Sequence, residues 1–150
     1  MKIVRSIVMV AFTLSLALVA AACSSGSGGN AAAPKGGAIE SRDWQVRQYA
    51  EATGTMKEAF LTVPLYARFE AGTVSGTAGC SQFSASFAID GAKLTVTGLQ
   101  VGTEVCDSYA TGGRDTYMAA LPLTATFNVA DTEMTFYDKD GRAILQFKEK

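Results

Sequence analysis

The chain beyond residue 40 is dominated by runs in which apolar and polar residues alternate. Over residues 61–69 every second side chain is apolar, which is the spacing of a strand that buries one face. Pro64 falls within this run, and because proline cannot donate to a sheet, the strand is predicted to begin near Leu65 or to lie at an edge. The same alternation recurs in five later segments: residues 83–89, 94–96, 123–129, 134–136 and 143–147.

Short turn motifs separate these runs. Ala71-Gly72, Ala130-Asp131 and the stretch 138–141 each interrupt the alternation, and Asp90-Gly91 is a strong hairpin signal between two apolar runs. A further strand at residues 44–47, around Trp44, is expected to open the sheet. The pattern therefore predicts consecutive strands joined by tight turns, which is typical of an antiparallel sheet.

Residues 107–121 break the period of two. Tyr117 and Leu121 are four residues apart and would share a helix face, and Pro122 would end a helix there. Since Gly112-Gly113 disfavours a long helix, a short one is predicted from about Arg114 to Ala120. The fold class predicted is mainly β (α+β): an antiparallel sheet curled into a small open barrel with one short helix.

Residues 1–22 have the pattern of a secretory signal peptide. Lys2 and Arg5 form a short positive start, an almost unbroken apolar run covers residues 7–19, and three alanines at 20–22 precede a cleavage point. The apolar run is shorter than the roughly 20 residues that span a bilayer. The sequence therefore predicts export.

Cys23 follows these alanines, and residues 18–23 resemble the lipobox of bacterial lipoproteins. The resemblance implies cleavage before Cys23 and a diacylglycerol thioether on its sulfur, with palmitate among the acyl chains, so that two or three chains anchor the protein to a membrane. Ser24, which is not Asp, favours outer-membrane sorting in a two-membrane envelope, facing the periplasm. The alternative is an ordinary signal peptide cut after Ala22, with Cys23 left as a free thiol.

Residues 23–40 consist largely of Ser, Gly and Ala. Because such a stretch has little to bury in a core, it is predicted to be a flexible tether, followed by one domain at 41–150. A phosphate-binding glycine loop is the alternative, but no strand precedes the stretch and no Gly-Lys-Ser/Thr follows it.

Charge and composition exclude several functions. Removing Lys2 and Arg5 from the 13 basic residues leaves 11 against 14 acidic ones, so no basic face for nucleic acid is expected. The chain has no histidine, which excludes catalytic triads and His-zinc sites. Neither a cofactor nor a metal is predicted, and the expected partners are the membrane, through Cys23, and an envelope protein.

The chain has three cysteines. With Cys23 assigned to the lipid, Cys80 and Cys106 remain, and export would place them where disulfides persist. A Cys80–Cys106 disulfide is predicted. A reactive thiol or a metal-binding pair is the alternative, although no Cys-x-x-Cys motif supports it.

Residues 72–87 resemble a motif of the META domain family, which includes the HslJ-like bacterial heat-inducible lipoproteins. The family pattern is G-x-x-x-G-x-x-G-C-N-x-F-x-G-x-Y, and this chain has Ser81, Ala85 and Phe87 in place of its Asn, its last Gly and its Tyr. Residues 103–106 resemble the family's T-x-x-C, and 134–142 its final hairpin. The resemblance implies a small β-rich, barrel-like fold without established enzymatic activity, in a family linked to envelope stress, motility, secretion and antibiotic tolerance.

Gly76 and Gly79 lie in a run of small residues within this motif. Such glycines predict a bulge or a close approach of two backbones beside the disulfide. The functional alternative is a ligand-binding lip formed by Ser75, Gly76, Gly79 and Ser81.

Two acidic segments suggest other chemistry. Residues 138–141 resemble the start of a calcium loop, but the glycine comes too early, so a hairpin turn is preferred. A carboxylate pair of glycosidase type is conceivable within one cluster, although charges around a short helix are more often solvated: Glu104, Asp107, Arg114 and Asp115.

Three functions follow as hypotheses. The leading one is a non-enzymatic envelope lipoprotein, related to stress or envelope integrity, that acts through protein contacts. The second is a carrier of a small apolar ligand or lipid in the barrel mouth, as in lipid-handling pilotins, which an open apolar cavity would favour. The third, an envelope enzyme, would require convergent polar groups with shifted pKa values.

Overall fold

The computed structural model describes residues 38–150, and this part of the chain forms nine antiparallel strands and one α-helix. The strands are β1 Asp43–Ala50, β2 Met56–Glu58, β3 Leu65–Glu70, β4 Thr73–Ala78, β5 Ser81–Asp90, β6 Lys93–Val101, β7 Thr126–Ala130, β8 Glu133–Tyr137 and β9 Ala143–Glu149. The helix α1, Ser108–Ala120, lies between β6 and β7 and continues into a short 3₁₀ turn, Leu121–Leu123.

Eight of these strands close into a barrel. Neighbouring strands pair in the order β1-β3-β4-β5-β6-β7-β8-β9, and β9 pairs back onto β1 from Trp44↔Glu149 to Tyr49↔Leu145. β2 is an extra edge strand on the second half of β1. The predicted fold class is confirmed, and the β1–β9 pairing closes the sheet that the sequence pattern left open.

The barrel interior is filled by side chains. Inward-facing aromatic rings form a continuous chain of contacts. The ring centroid of Phe136 lies 4.9 Å from that of Phe147 and 5.9 Å from that of Phe69. The ring of Tyr117, on α1, meets that of Phe83 edge to face, with centroids 5.5 Å apart. The inward positions are those that the period of two predicted. One core therefore runs from the helix to the opposite end of the barrel.

The helix covers one end of the barrel, called here the helix-capped end. Tyr117 and Leu121 of this segment are fully buried, as their shared helix face predicted. The helix begins at Ser108, six residues earlier than expected, because Asp107 caps it by accepting a hydrogen bond from the Ala110 backbone N–H at 2.8 Å.

The glycines Gly112 and Gly113 do not break this helix. Gly113 packs against β3 and the loop before it, since a Cβ there would lie 3.4 Å from Val63 Cγ1. Close packing and the Asp107 cap outweigh the low helix propensity of the two glycines. The prediction of a helix confined to 114–120 was wrong for this reason.

The segment 38–42 covers the opposite end of the barrel. Ile39 is fully buried, its carbonyl accepts a hydrogen bond from Trp44 Nε1 at 2.9 Å, and the Ser41 N–H donates to the Phe69 carbonyl. Arg42 stacks on Trp44 and forms an ion pair with Glu149. The folded domain therefore includes Ile39 and Glu40, which the sequence pattern placed in the tether; residues 1–37 lie outside the described residues.

Most strand starts and turns lie close to where the sequence pattern places them, and two strands were not predicted. β3 begins at Leu65, as Pro64 indicated, while Leu61 lies in the preceding loop and is 71% exposed. A turn forms at each predicted motif, at residues 71–72, 91–92, 131–132 and 138–142, and the turns after β5 and β7 begin one residue later than predicted. β2 and β4 were not predicted. β2 has only three residues, two of them exposed, and β4 consists mostly of small residues, so neither shows an alternation of large apolar side chains.

Within residues 38–150, no helix combines the length and the apolar character needed to cross a membrane.

Candidate functional site

Large apolar side chains that remain exposed concentrate at the helix-capped end. Phe60 and Leu61, 46% and 71% exposed, lie in the loop between β2 and β3. Tyr109, 70% exposed, lies in the first turn of α1, and Val105 lies in the loop before it. Because soluble domains rarely leave large apolar groups together at the surface, this end is the candidate site.

Phe60 and Tyr109 contact each other edge to face, with ring centroids 5.8 Å apart. Their contact joins the β2–β3 loop to the helix and separates two clefts. A cleft of about 540 Å³ lies on one side, and one of about 350 Å³ on the other. The surface is called here the aromatic groove, and its principal lining residues are Phe60, Tyr109, Val63, Pro64, Cys80, Ala110, Tyr49, Lys57, Gly112 and Gly113.

The wall of the groove depends on a close approach between the β4–β5 turn and α1. Gly79 has a φ of +67°, and a Cβ at this position would lie 2.8 Å from the Ala110 carbonyl oxygen. Only glycine accommodates both the positive φ and this proximity. The turn can therefore pack directly beneath the helix residues that carry Tyr109.

The disulfide fixes the same wall. Cys80 of the β4–β5 turn and Cys106, immediately before the helix cap, are bonded with Cα atoms 5.6 Å apart, as predicted. The bridge ties the loop 102–107 and the start of α1 to the barrel. The bridge also separates the aromatic groove from a third cleft, of about 540 Å³, which Cys106 and Arg114 line.

The structure does not bring the proposed lip residues to one surface. Ser75 is exposed, whereas Ser81 is fully buried and its Oγ has no hydrogen-bond partner among the described residues. Gly79 lines the aromatic groove, but Gly76 meets β3, since a Cβ there would lie 2.0 Å from the Tyr66 carbonyl oxygen. The four residues therefore do not form a lip, and the predicted close approach of backbones is confirmed.

The acidic cluster near the helix is engaged in local contacts. Asp107 caps α1, and Asp115 forms an ion pair with Arg114 at 2.9 Å. The Arg114 guanidinium also donates to the Glu104 carbonyl at 3.3 Å, while the Glu104 side chain is exposed. The side chains serve as a helix cap and an ion pair, which is the solvated arrangement that the sequence favoured.

The segment 138–141 forms the β8–β9 turn. The Asp138 carboxylate accepts hydrogen bonds from the backbone N–H groups of Asp140 and Arg142, each at 2.9 Å, and pairs with the Arg142 guanidinium. These contacts lower the pKa of Asp138, and the hydrogen bond from the Arg142 backbone N–H has the largest effect. The hairpin interpretation is confirmed, and no group of three or more acidic or cysteine side chains within residues 38–150 is placed to hold a metal.

Tyr117 is a fully buried titratable residue of the core. Burial raises the pKa of its hydroxyl, which has no hydrogen-bond partner among the described residues. It lies inside the barrel against Phe83 and Phe147, so it packs as an aromatic core residue.

The sequence did not identify the aromatic groove. Phe60 stands in a loop with no periodic signal, and Tyr109 lies 49 residues later in the chain. Their contact depends on how α1 crosses the barrel end. The one available signal was the pair of large aromatic residues outside the alternating runs.

The fold and this site define a small disulfide-linked β-barrel capped by one helix. The META domain family model matches residues 37–150, and the chain belongs to this family. No curated protein matches the chain.

Solved structures share the fold at low sequence identity. A protein from Burkholderia xenovorans, solved by NMR, is 18% identical, with a TM-score of 0.64 over 76% of this chain and 85% of its own. A DUF4847 family protein from Bacteroides vulgatus is 15% identical, with a TM-score of 0.53 over 73% of this chain and 93% of its own. At this identity the likeness concerns the fold.

Proposed function

We propose that this protein is a non-enzymatic lipoprotein of the cell envelope, anchored through Cys23, whose META domain binds a partner protein at the aromatic groove. The proposal includes a role in stress tolerance or envelope integrity, as the family resemblance implies. The lipobox-like residues 18–23 support the membrane anchor, and the aromatic groove supports the binding role.

The observation that carries the binding role is the exposed Phe60–Tyr109 pair between two clefts. Aromatic side chains dominate the binding energy of protein interfaces, because each buries a large area at a small entropic cost. A cleft on each side of the pair provides room for side chains of a partner. The local shape therefore supports protein recognition.

The chain enters the domain at the end remote from the aromatic groove. It does so at Ala38, at the end of β3 opposite to the one that the helix covers. The segment 38–42 packs at that end and leaves the groove open to a partner protein.

The packed barrel interior favours a binding surface over a lipid carrier. Large side chains fill the barrel from Trp44 to Tyr117, the helix covers one end, and residues 38–42 cover the other. A carrier of the second kind would need an open apolar cavity in the barrel mouth. The clefts at the aromatic groove lie outside the barrel.

The anchor is tested by labelling growing cells with radioactive palmitate. We expect the wild-type chain to be labelled and retained in the membrane fraction, and Cys23→Ser to lose both properties. Labelling of the Cys23→Ser variant, or a wild-type chain that carries no label, would reject the lipoprotein assignment.

The groove is tested with two charge-introducing variants. Phe60→Asp places a carboxylate in the groove, and Leu123→Asp makes the same change at an apolar residue, 62% exposed, in a separate cleft. After chemical crosslinking in intact envelopes, Phe60→Asp is expected to lose the wild-type adduct and Leu123→Asp to retain it, at equal unfolding midpoints. Retention of the adduct in both variants would exclude the groove.

A further inference from the structure

The two sulfur atoms of the disulfide differ in their surroundings. Cys80 is exposed on the β4–β5 turn and faces the larger cleft of the aromatic groove, whereas Cys106 is half-exposed in the loop 102–107 and lines the cleft beside Arg114. An external thiolate must approach one sulfur along the S–S axis, and access decides which sulfur it attacks. Cys80 is the more exposed of the two residues.

Arg114 lies beside the other sulfur. Its Nη1 is 3.8 Å from Cys106 Sγ, and its side chain is held there by the Glu104 carbonyl at 3.3 Å and the Asp115 carboxylate at 2.9 Å. A guanidinium next to a sulfur stabilises the thiolate form, and a stabilised thiolate leaves a disulfide faster. The exposed carboxylates of Glu104 and Asp115 oppose this effect, while the Arg114 Nη1 contacts Cys106 Sγ directly.

We propose that Cys80–Cys106 is a thiol-exchange site for a dithiol reductant of the oxidoreductase class, and that exchange controls the aromatic groove. The reductant thiolate attacks Cys80 Sγ and forms a mixed disulfide, while the S–S electron pair leaves with Cys106 as a thiolate beside Arg114. The second thiolate of the reductant then attacks the reductant sulfur that is bonded to Cys80, and Cys80 leaves as a thiolate. Two electrons pass to the protein, and the reductant departs as a disulfide.

Exchange has a direct consequence for the groove. The bridge links the β4–β5 turn to the residue before the helix cap, so it holds the first turn of α1 and Tyr109 against Phe60. Reduction removes this link while the barrel pairings and the buried Tyr117 remain. The reduced protein keeps its barrel and loosens one wall of the groove; this control of partner binding rests on the proposed function.

The site of attack is tested by trapping. The full chain in detergent micelles is exposed briefly to glutathione, quenched with acid, treated with N-ethylmaleimide and mapped by mass spectrometry. We expect glutathione on Cys80 and maleimide on Cys106. Glutathione chiefly on Cys106, an even distribution, or exchange that occurs only in urea would overturn the proposal.

The role of Arg114 as a positioning residue is tested by rate. Arg114→Gln removes the charge beside Cys106 and is expected to slow exchange roughly two- to fivefold, the scale of one partly exposed charge interaction, while Arg114→Lys retains most of the rate. A lowered unfolding midpoint in an oxidised variant would show that the substitution acts by destabilising the fold. An unchanged rate in Arg114→Gln contradicts the role.

Hydrogen exchange tests the consequence for the groove. In dithiothreitol, residues 102–111 are expected to exchange faster, while β5, β8 and β9 keep their protection. Loss of protection throughout the barrel, or no change at all, would overturn the control. These readouts need no partner, so they can fail while the Phe60→Asp test succeeds, and the reverse also holds.

Discussion

At the residue scale, the glycines of the META motif act through the space around them. Gly76 pairs with Ala67 across β3–β4, and the Tyr66 carbonyl occupies the position where a side chain would begin. Gly112, in contrast, is exposed in the middle of α1 with nothing within 4 Å of a would-be Cβ. The two positions respond to the same substitution in opposite ways.

The first prediction concerns this pair of glycines. Gly76→Ala is expected to lower the free energy of unfolding by about 2–3 kcal/mol, because two strands must separate to admit a methyl group. Gly112→Ala is expected to raise it by about 0.5–1 kcal/mol, because alanine favours the helix. Urea unfolding monitored by circular dichroism measures both, and a stable Gly76→Ala variant would contradict the close approach.

At the element scale, α1 depends on Asp107, the residue that caps its N-terminus. The helix contains two glycines and has no acidic residue in its first turn, so the Asp107 side chain carries the N-terminal stabilisation. The same turn presents Tyr109 to Phe60. Stability of this turn therefore affects both the fold and the groove.

The second prediction follows from the cap. Asp107→Ala is expected to cost about 1 kcal/mol, whereas Asp107→Asn, which retains an oxygen acceptor, is expected to cost much less. Urea unfolding gives the magnitude, and hydrogen exchange of residues 108–111 locates it. Equal losses in the two variants would mean that the carboxylate charge, and not the hydrogen bond, stabilises the helix.

The third prediction concerns the β8–β9 turn. The hydrogen bonds to Asp138 hold its pKa below the ordinary value of 3.8, so its contribution to stability is present above about pH 4 and is lost as the pH falls through the lower, folded-state pKa. Asp138→Asn is expected to unfold more easily at pH 7 and to show a weaker loss of stability between pH 5 and 2.

Asp140→Asn is the matched control for this turn, because Asp140 is an exposed carboxylate that also contacts Arg142. It is expected to keep the wild-type acid dependence. Urea midpoints at pH 7, 5, 4, 3 and 2 compare the three proteins, and a wild-type profile in Asp138→Asn would show that other groups dominate acid unfolding.

The strands could be predicted where side chains alternate, and not where they do not. β5 buries Phe83, Ala85 and Phe87, and β9 buries Leu145 and Phe147, at every second position, so a local pattern specifies which face is buried. β4, with sequence Thr-Val-Ser-Gly-Thr-Ala, forms because its neighbours β3 and β5 pair with it on both sides. Pairing with β3 and β5, and not its own side-chain pattern, makes this segment a strand.

At the scale of the whole molecule, closure and the groove both depend on contacts between distant segments. β1 meets β9 about 100 residues later, and Phe60 meets Tyr109 across the barrel end. The disulfide could be predicted because counting cysteines requires no geometry. The groove could not, because it depends on the direction in which α1 crosses the barrel.

The arrangement of the two ends gives the domain a direction. Residues 38–42 cover the end where the chain enters, and the exposed aromatic pair lies at the other end. The disulfide joins the β4–β5 turn to the loop before the helix, so the proposed exchange would loosen the groove without disturbing the end that residues 38–42 cover.

The central claim is tested most directly by a photocrosslinking amino acid placed at position 109 in the full, anchored chain, with position 93, at the far end of β6 from the disulfide loop, as the control. In intact envelopes, position 109 is expected to give a discrete adduct that Phe60→Asp abolishes and Leu123→Asp preserves, while position 93 gives none. Equal adducts from both positions, or no adduct from position 109, would contradict the assignment of the aromatic groove as the binding surface.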